Sequence, residues 1–261
     1  MTALLQVRGL SKSFGGVRAV DDISFDLQAG ELLALIGPNG AGKSTTFNMV
    51  GGQLNASSGS VLLAGQELVG MKPRAIWRLG VGRTFQIAAT FASMSVVENV
   101  QLALLSHHRL AFAFWRAASR QHRSQALELL DQVGMVAQAE RPCSELAYGD
   151  VKRVELAMAL ANSPKLLLMD EPTAGMAPQE RKDLMALTKQ LVIERRMAVL
   201  FTEHSMDVVF AYADRMIVLA RGRLIAQGDA PTIRNHPQVQ EVYFGTGKTF
   251  EQPTPTVETR A

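Results

Sequence analysis

The stretch Gly37-Pro38-Asn39-Gly40-Ala41-Gly42-Lys43-Ser44 limits the possible folds more than any other part of the chain. It fits G-x-x-x-x-G-K-[ST] without a mismatch and stands in a telling context. Before it, Glu31 to Ile36 carries an LLALI core apolar on both faces, which reads as a central strand. From Ser44 onward the pattern turns helical. A strand, a glycine-rich loop and a helix start together make a phosphate cradle. The glycines let the backbone curl so that its N–H groups converge on phosphate oxygens, and the helix N-terminus adds favourable partial charge. In that chemistry Lys43 bridges the β- and γ-phosphates and the Ser44 hydroxyl ligates Mg²⁺, with Thr45 beside it. The expectation is a nucleoside triphosphate site.

Such a site needs an acidic residue at the end of a second buried strand. Leu166-Leu167-Leu168-Met169-Asp170-Glu171 supplies it. Alone, two carboxylates before Pro172-Thr173 would also read as a helix cap. Beside the phosphate loop, Asp170 reads as the residue holding Mg²⁺ through water and Glu171 as the general base facing the attacking water.

Further apolar runs at 197–201 and 215–219 each follow a helix-like stretch, and alternating strands and helices predict a parallel α/β core. Residues 1–30 read as short strands around a turn at Phe14-Gly15-Gly16, with Ile23–Leu27 alternating as a half-buried antiparallel strand. Residues 87–155 are expected to form an inserted helical lobe, with no good strand up to about residue 145. The core is then expected over 4–86 and 156–245. The tail 246–261 holds two prolines, many hydroxyls and little to bury, and is expected to be disordered. No run reaches the roughly 20 apolar residues a membrane crossing needs. The single cysteine, Cys143, cannot form an internal disulfide, which agrees with a reducing compartment. A net charge of +3 is too small to call for nucleic acid, and none is expected as a partner.

Four more stretches fall in a fixed order around these two motifs, and with them the chain resembles the ATPase subunit of ABC transporters over residues 4–245. The resemblance implies a P-loop NTPase core, mostly parallel sheet with an N-terminal antiparallel β part. It implies ATP and Mg²⁺ as cofactors and assigns further roles. Phe14 matches the aromatic that stacks on adenine. Gln86, in Arg83-Thr84-Phe85-Gln86, matches the glutamine that senses Mg²⁺ and water. Ala147-Tyr148-Gly149-Asp150 looks like the signature segment, an anion site serving the γ-phosphate held by the other subunit. His204, in Phe201-Thr202-Glu203-His204, resembles the switch histidine touching the γ-phosphate. Two positions depart from the family pattern: Ala147 stands where a serine is usual, and Ala177 where an aspartate usually meets the partner subunit.

Gly82–Gln86, Ala147–Asp150, Ala174-Gly175-Met176 and the ending Val242-Tyr243-Phe244-Gly245 resemble importer ATPases for branched-chain and other hydrophobic amino acids. Relatives handling urea, short amides or aromatic acids look similar, and lipopolysaccharide-export ATPases share part of the ending. One phosphate loop and one signature per chain imply a head-to-tail dimer of two cassettes, identical or paralogous. The resemblance further implies polytopic membrane permease subunits, indirectly a solute-binding protein, and a peripheral place on the cytoplasmic face of the inner membrane. A soluble ABC ATPase and a P-loop phosphotransferase each fit part of the pattern. Between Asn99 and Leu127 no acidic residue occurs, while Arg109, Arg116, Arg120 and Arg123 do. That stretch reads either as a helix with a solvated basic face or as a segment meeting anionic headgroups.

Overall fold

The computed structural model describes residues 3–84, 90–107 and 122–244. Gln86, the arginines 109, 116 and 120, and the tail 246–261 lie outside the described residues. Two sheets form the frame. Strands β1 (Leu5–Phe14) and β2 (Val17–Leu27) make an antiparallel hairpin in which Leu5 faces Leu27 and Phe14 faces Val17. Strand β4 (Ser58–Leu63) pairs with the other edge of β1, and β5 (Gln66–Glu67) closes a sheet ordered β2-β1-β4-β5. Alternation along these strands buries Leu5, Val7, Ile23, Phe25, Leu27, Val61 and Leu63 on one face.

The second sheet is built around β3 (Leu32–Ile36), all five residues of which are buried. Its order is β10-β9-β3-β8-β7-β6, with β6 (Val81–Thr84), β7 (Leu166–Asp170), β8 (Ala198–Thr202) and β9 (Arg215–Ala220) parallel to β3. Strand β10 (Arg223–Gly228) runs antiparallel to β9 at the edge. Because successive side chains point to opposite faces, one strand feeds two cores. Leu33 and Leu35 join the antiparallel sheet and helix α1 (Lys43–Val50), while Leu32, Ala34 and Ile36 join the helical side. The mostly parallel α/β reading thus holds. The strands over 58–63, 81–84 and 223–228 are not among those the sequence predicts.

Helix α2 (Pro73–Arg78) precedes β6. The helical layer then contains α3 (Val96–His107), α4 (Arg123–Gln132), two 3-10 turns at Val136–Gln138 and Cys143–Glu145, and α5 (Tyr148–Leu160). Helix α5 packs on α3, α4 and β6, so it passes without a break through residue 155, where core and lobe were expected to part. Among the described residues no helix is long and apolar enough to cross a membrane. Of the acid-free stretch, His107 stands edge-on to Trp77 at 5.3 Å and Arg123 pairs with Glu140.

Candidate nucleotide site

Parallel pairing gathers residues that lie far apart in sequence. Strands β3, β7 and β8 end at the same edge, with Leu35 and Asp170 both in register with Thr202. The loop after β3 carries Gly37–Gly42, the loop after β7 carries Glu171, and the loop after β8 carries Glu203 and His204. In open parallel sheets this carboxyl edge is where ligands bind.

The phosphate loop is held tightly. At Gly37 (φ 150°) a Cβ would overlap the Leu219 carbonyl oxygen, and at Gly42 (φ 100°) a Cβ would lie 2.6 Å from the Ala19 carbonyl oxygen. Both glycines are therefore demanded by the packing of β9 and β2 against the loop. The first turn of α1 has Gly42 as N-cap and no acidic side chain, so its amide N–H groups meet an incoming anion without a competing carboxylate. Replacing Gly42 with alanine is expected to destabilise the fold by about 1–3 kcal/mol through strain at positive φ. At roughly 2–4 °C per kcal/mol for a domain of this size, thermal denaturation will read this loss directly. ATP affinity should fall with it.

Lys43 is 7% exposed, and its ammonium donates to the carbonyls of Gly37 (2.7 Å) and Pro38 (3.0 Å). Burial pulls its pKa below the ordinary lysine value, and the nearby Glu171 and Asp170 carboxylates push it back up. Ser44 is exposed at the loop's mouth and Thr45 is half-buried. Asn39 and Gly40 stand exposed at the loop tip, with Pro38 half-buried and Ala41 buried beneath them.

The carboxylates are organised by Thr202, a residue that sequence reasoning missed. Its hydroxyl donates to Asp170 Oδ1 at 2.8 Å, and the Glu171 N–H donates to both the Thr202 hydroxyl and carbonyl at 3.1 Å. Its only signal in the sequence is a polar residue closing a buried apolar strand. Glu171 has φ 47°, a left-handed conformation that costs a non-glycine residue energy and is typical of functional positions. His204 Nε2 lies 2.8 Å from Glu171 Oε1; with Glu171 ionised, that nitrogen carries the proton and donates. A second missed residue is Arg83. It donates to Asn48 (2.8 Å) and Gln53 (2.5 Å), stacks over Phe47 and approaches Asp170 Oδ2 at 3.7 Å. It also lines, with Trp77, Arg74 and Gln53, a cavity of about 320 Å³.

Of the remaining expected site residues, Phe14 is 50% exposed at the tip of the β1–β2 hairpin, not part of the core, and Lys12 sits 5.3 Å from its ring. Ala147 is the N-cap of α5, with Tyr148, Gly149 and Asp150 in its first turn. That helix start packs against Gly175 and Glu180, and no hydrogen bond among the described residues joins it to Gly37–Ser44. Ala177 donates its N–H to Glu180 Oε2 at 2.9 Å at the start of α6 (Pro178–Arg195). At the other end of the chain, α7 (Pro237–Phe244) brings Tyr243 to the Gly37 backbone; burial drives the Tyr243 hydroxyl pKa well above the usual tyrosine range.

The family described as "ABC transporter" matches residues 20–174, and that described as "Branched-chain amino acid ATP-binding cassette transporter" matches residues 223–249. The high-affinity branched-chain amino acid transport ATP-binding protein LivG of Escherichia coli K12 is 38% identical, over 93% of this chain and 98% of the relative. The corresponding protein BraF of Pseudomonas aeruginosa is 36% identical over the same shares. Among solved structures, the ADP conformation of an ATP-binding cassette of an ABC transporter is similar with TM-score 0.84 and 30% identity, covering 94% of this chain and all of the other. A dimeric cassette in a post-hydrolysis state, bound to ADP and phosphate, has TM-score 0.73 and 25% identity over 86% of this chain and 98% of its own. With the phosphate loop, the paired carboxylates and this similarity over nearly its whole length, the chain belongs to the ABC transporter ATP-binding proteins, a family of nucleotide-binding ATPases.

Proposed function

We propose that the chain powers the import of branched-chain or other hydrophobic amino acids. In this reading it works as one half of a head-to-tail cassette dimer, under polytopic permease subunits on the cytoplasmic face of the inner membrane. A solute-binding protein delivers the solute. The names of LivG and BraF and the match over residues 223–249 support the solute class. The dimeric relative supports the assembly.

The catalytic part of the reading rests on one observation: Glu171, backed by Thr202 and hydrogen-bonded to His204, stands at the sheet edge that also carries Lys43. Lys43 moves from the loop carbonyls to the β- and γ-phosphates. Glu171 takes a proton from the water that attacks the γ-phosphorus, and the bond from that phosphorus to the ADP oxygen breaks. His204 turns its Nε2–H from Glu171 to the γ-phosphate. The donor oxygens of Ser44, Asp170 and Gln86 suit Mg²⁺, a hard cation, and Thr202 fixes one Asp170 oxygen so that the carboxylate is oriented. When bound, the cation neutralises charge on the β- and γ-phosphates. Phe14 offers an exposed face to the adenine.

Ala147–Asp150 serves the partner's nucleotide. With alanine in place of serine, one hydrogen bond to a charged group is missing there, worth about 1.5–3 kcal/mol by general experience. The core 4–86 and 156–245 and the lobe 87–155 move as the two halves of the closing cassette, with α5 as the shared strut.

Reconstitution with polytopic permease subunits in proteoliposomes tests this function. ATP-dependent uptake of leucine, isoleucine or valine, with ATPase activity stimulated by the permease, is the expected result. Preference for urea, short amides or aromatic acids would move the solute class. A fully active dimer indifferent to permease and membrane would assign the chain to the soluble ABC ATPases.

A further inference from the structure

Glu203 has no part in the phosphate chemistry described above, yet it is 4% exposed and its carboxylate accepts four hydrogen bonds. Oε1 accepts from the Thr173 N–H at 2.9 Å and from the Thr173 hydroxyl at 2.6 Å. Oε2 accepts from the His204 N–H at 3.0 Å and, at a longer 3.4 Å, from the Ser205 N–H. Thr173 lies two residues after Glu171; His204 follows Glu203 directly. A single carboxylate therefore joins the loop after β7 to the loop after β8. Arg181 adds a second tie between the same loops, donating to the Met176 carbonyl (2.8 Å) and the Ser205 hydroxyl (2.9 Å).

We propose that Glu203 is a positioning residue that sets His204 against Glu171 by locking these two loops together. The inference deepens the catalytic reading above and rests on it. The residue it grips, Thr173, lies four positions before Ala177, where the family usually places an aspartate that meets the partner subunit.

The chemistry makes the requirement specific. All four groups facing the carboxylate act as donors, and an ionised carboxylate offers two acceptor oxygens and no competing hydrogen. Glutamine has nearly the same shape but carries an NH₂ on one side. Whichever way it turns, a backbone N–H of Thr173 or His204 then faces another donor in a buried place, which is costly. Glutamine is thus a disruptive substitution here despite its size.

The full-length protein, assayed for phosphate release and for ATP affinity by equilibrium binding, decides the matter. Glu203→Gln is expected to lower kcat roughly tenfold or more while changing ATP affinity less than about twofold, since the lost satisfaction falls on the loops after β7 and β8 and not on Gly37–Ser44. In a His204→Ala background the same substitution should cost little further kcat, because the group it positions is gone. A purely structural role would instead cost the same in both backgrounds. Thr173→Val removes only the hydroxyl contact and guards against a Glu203 variant that does not fold; a loss of a few-fold in kcat is expected by the same reasoning, with Thr173→Ser restoring it. Wild-type kcat in both Glu203→Gln and Thr173→Val, or an undiminished loss in the His204→Ala background, overturns the inference alone. Hydrolysis that does not depend on Glu171 overturns the catalytic reading beneath it.

Discussion

Glu171→Gln is expected to bind ATP as tightly as the parent and to close into a stable dimer, while hydrolysis falls by about 10²–10⁴-fold, the usual contribution of a positioned general base. The substitution keeps the side-chain shape. It keeps an oxygen able to accept from His204 Nε2 at the present 2.8 Å, and it leaves the backbone N–H bonded to Thr202. Only the ability to take a proton from water is removed. The closed, ATP-filled dimer should therefore accumulate, visible as a concentration-dependent shift in sedimentation when ATP and Mg²⁺ are added. Normal steady-state phosphate release from this variant would falsify the assignment of the base. It would move attention to His204, whose Nε2 lies 2.8 Å from Glu171 Oε1.

Lys43→Ala carries the second largest effect, and it acts on binding. Lys43 carries the ammonium held at the glycine-rich loop, and charge-assisted hydrogen bonds contribute about 1.5–3 kcal/mol each. At 1.4 kcal/mol per tenfold, ATP affinity should drop roughly 10–100-fold. Hydrolysis should drop further, because charge on the transferring phosphoryl group grows toward the transition state. The stability effect has the opposite sign. Burial depresses the pKa of Lys43, so at neutral pH the fold holds a charged ammonium at some cost, a cost relieved only as pH rises past that depressed pKa. Removing the ammonium should leave the thermal midpoint of the nucleotide-free protein unchanged or higher, while stabilisation by added ATP disappears. Wild-type ATP affinity in this variant would contradict the phosphate-loop assignment.

Much of the site is legible in the chain because its chemistry is local. Gly37–Ser44 follows an apolar run and opens a helical pattern, and its contiguous backbone amides can wrap a phosphate. Asp170-Glu171 ends an apolar run long enough to be a buried strand. Read together, they identify the nucleotide chemistry without any knowledge of the rest. Phe14 shows where such reading stops: its type and place suit either a core residue or an exposed platform, and only its 50% exposure separates the two.

What the chain conceals is everything that depends on pairing between distant segments. Strands β4, β6 and β10 are short or half-exposed, and their hydrogen bonds come from partners that leave no local periodicity. The role of Thr202 follows from its register opposite Asp170, and that of Glu203 from the nearness of two loops 30 residues apart. Helix α5 offers no composition change at residue 155, because one unbroken helix packs on α3, α4 and β6. By itself, the sequence determined the phosphate loop, the acid pair and the order of motifs, since each is written in consecutive residues. Tertiary structure alone decided which oxygen meets which hydrogen at the sheet edge, because parallel register brings β3, β7 and β8 to a common end and so makes one site of three separate loops.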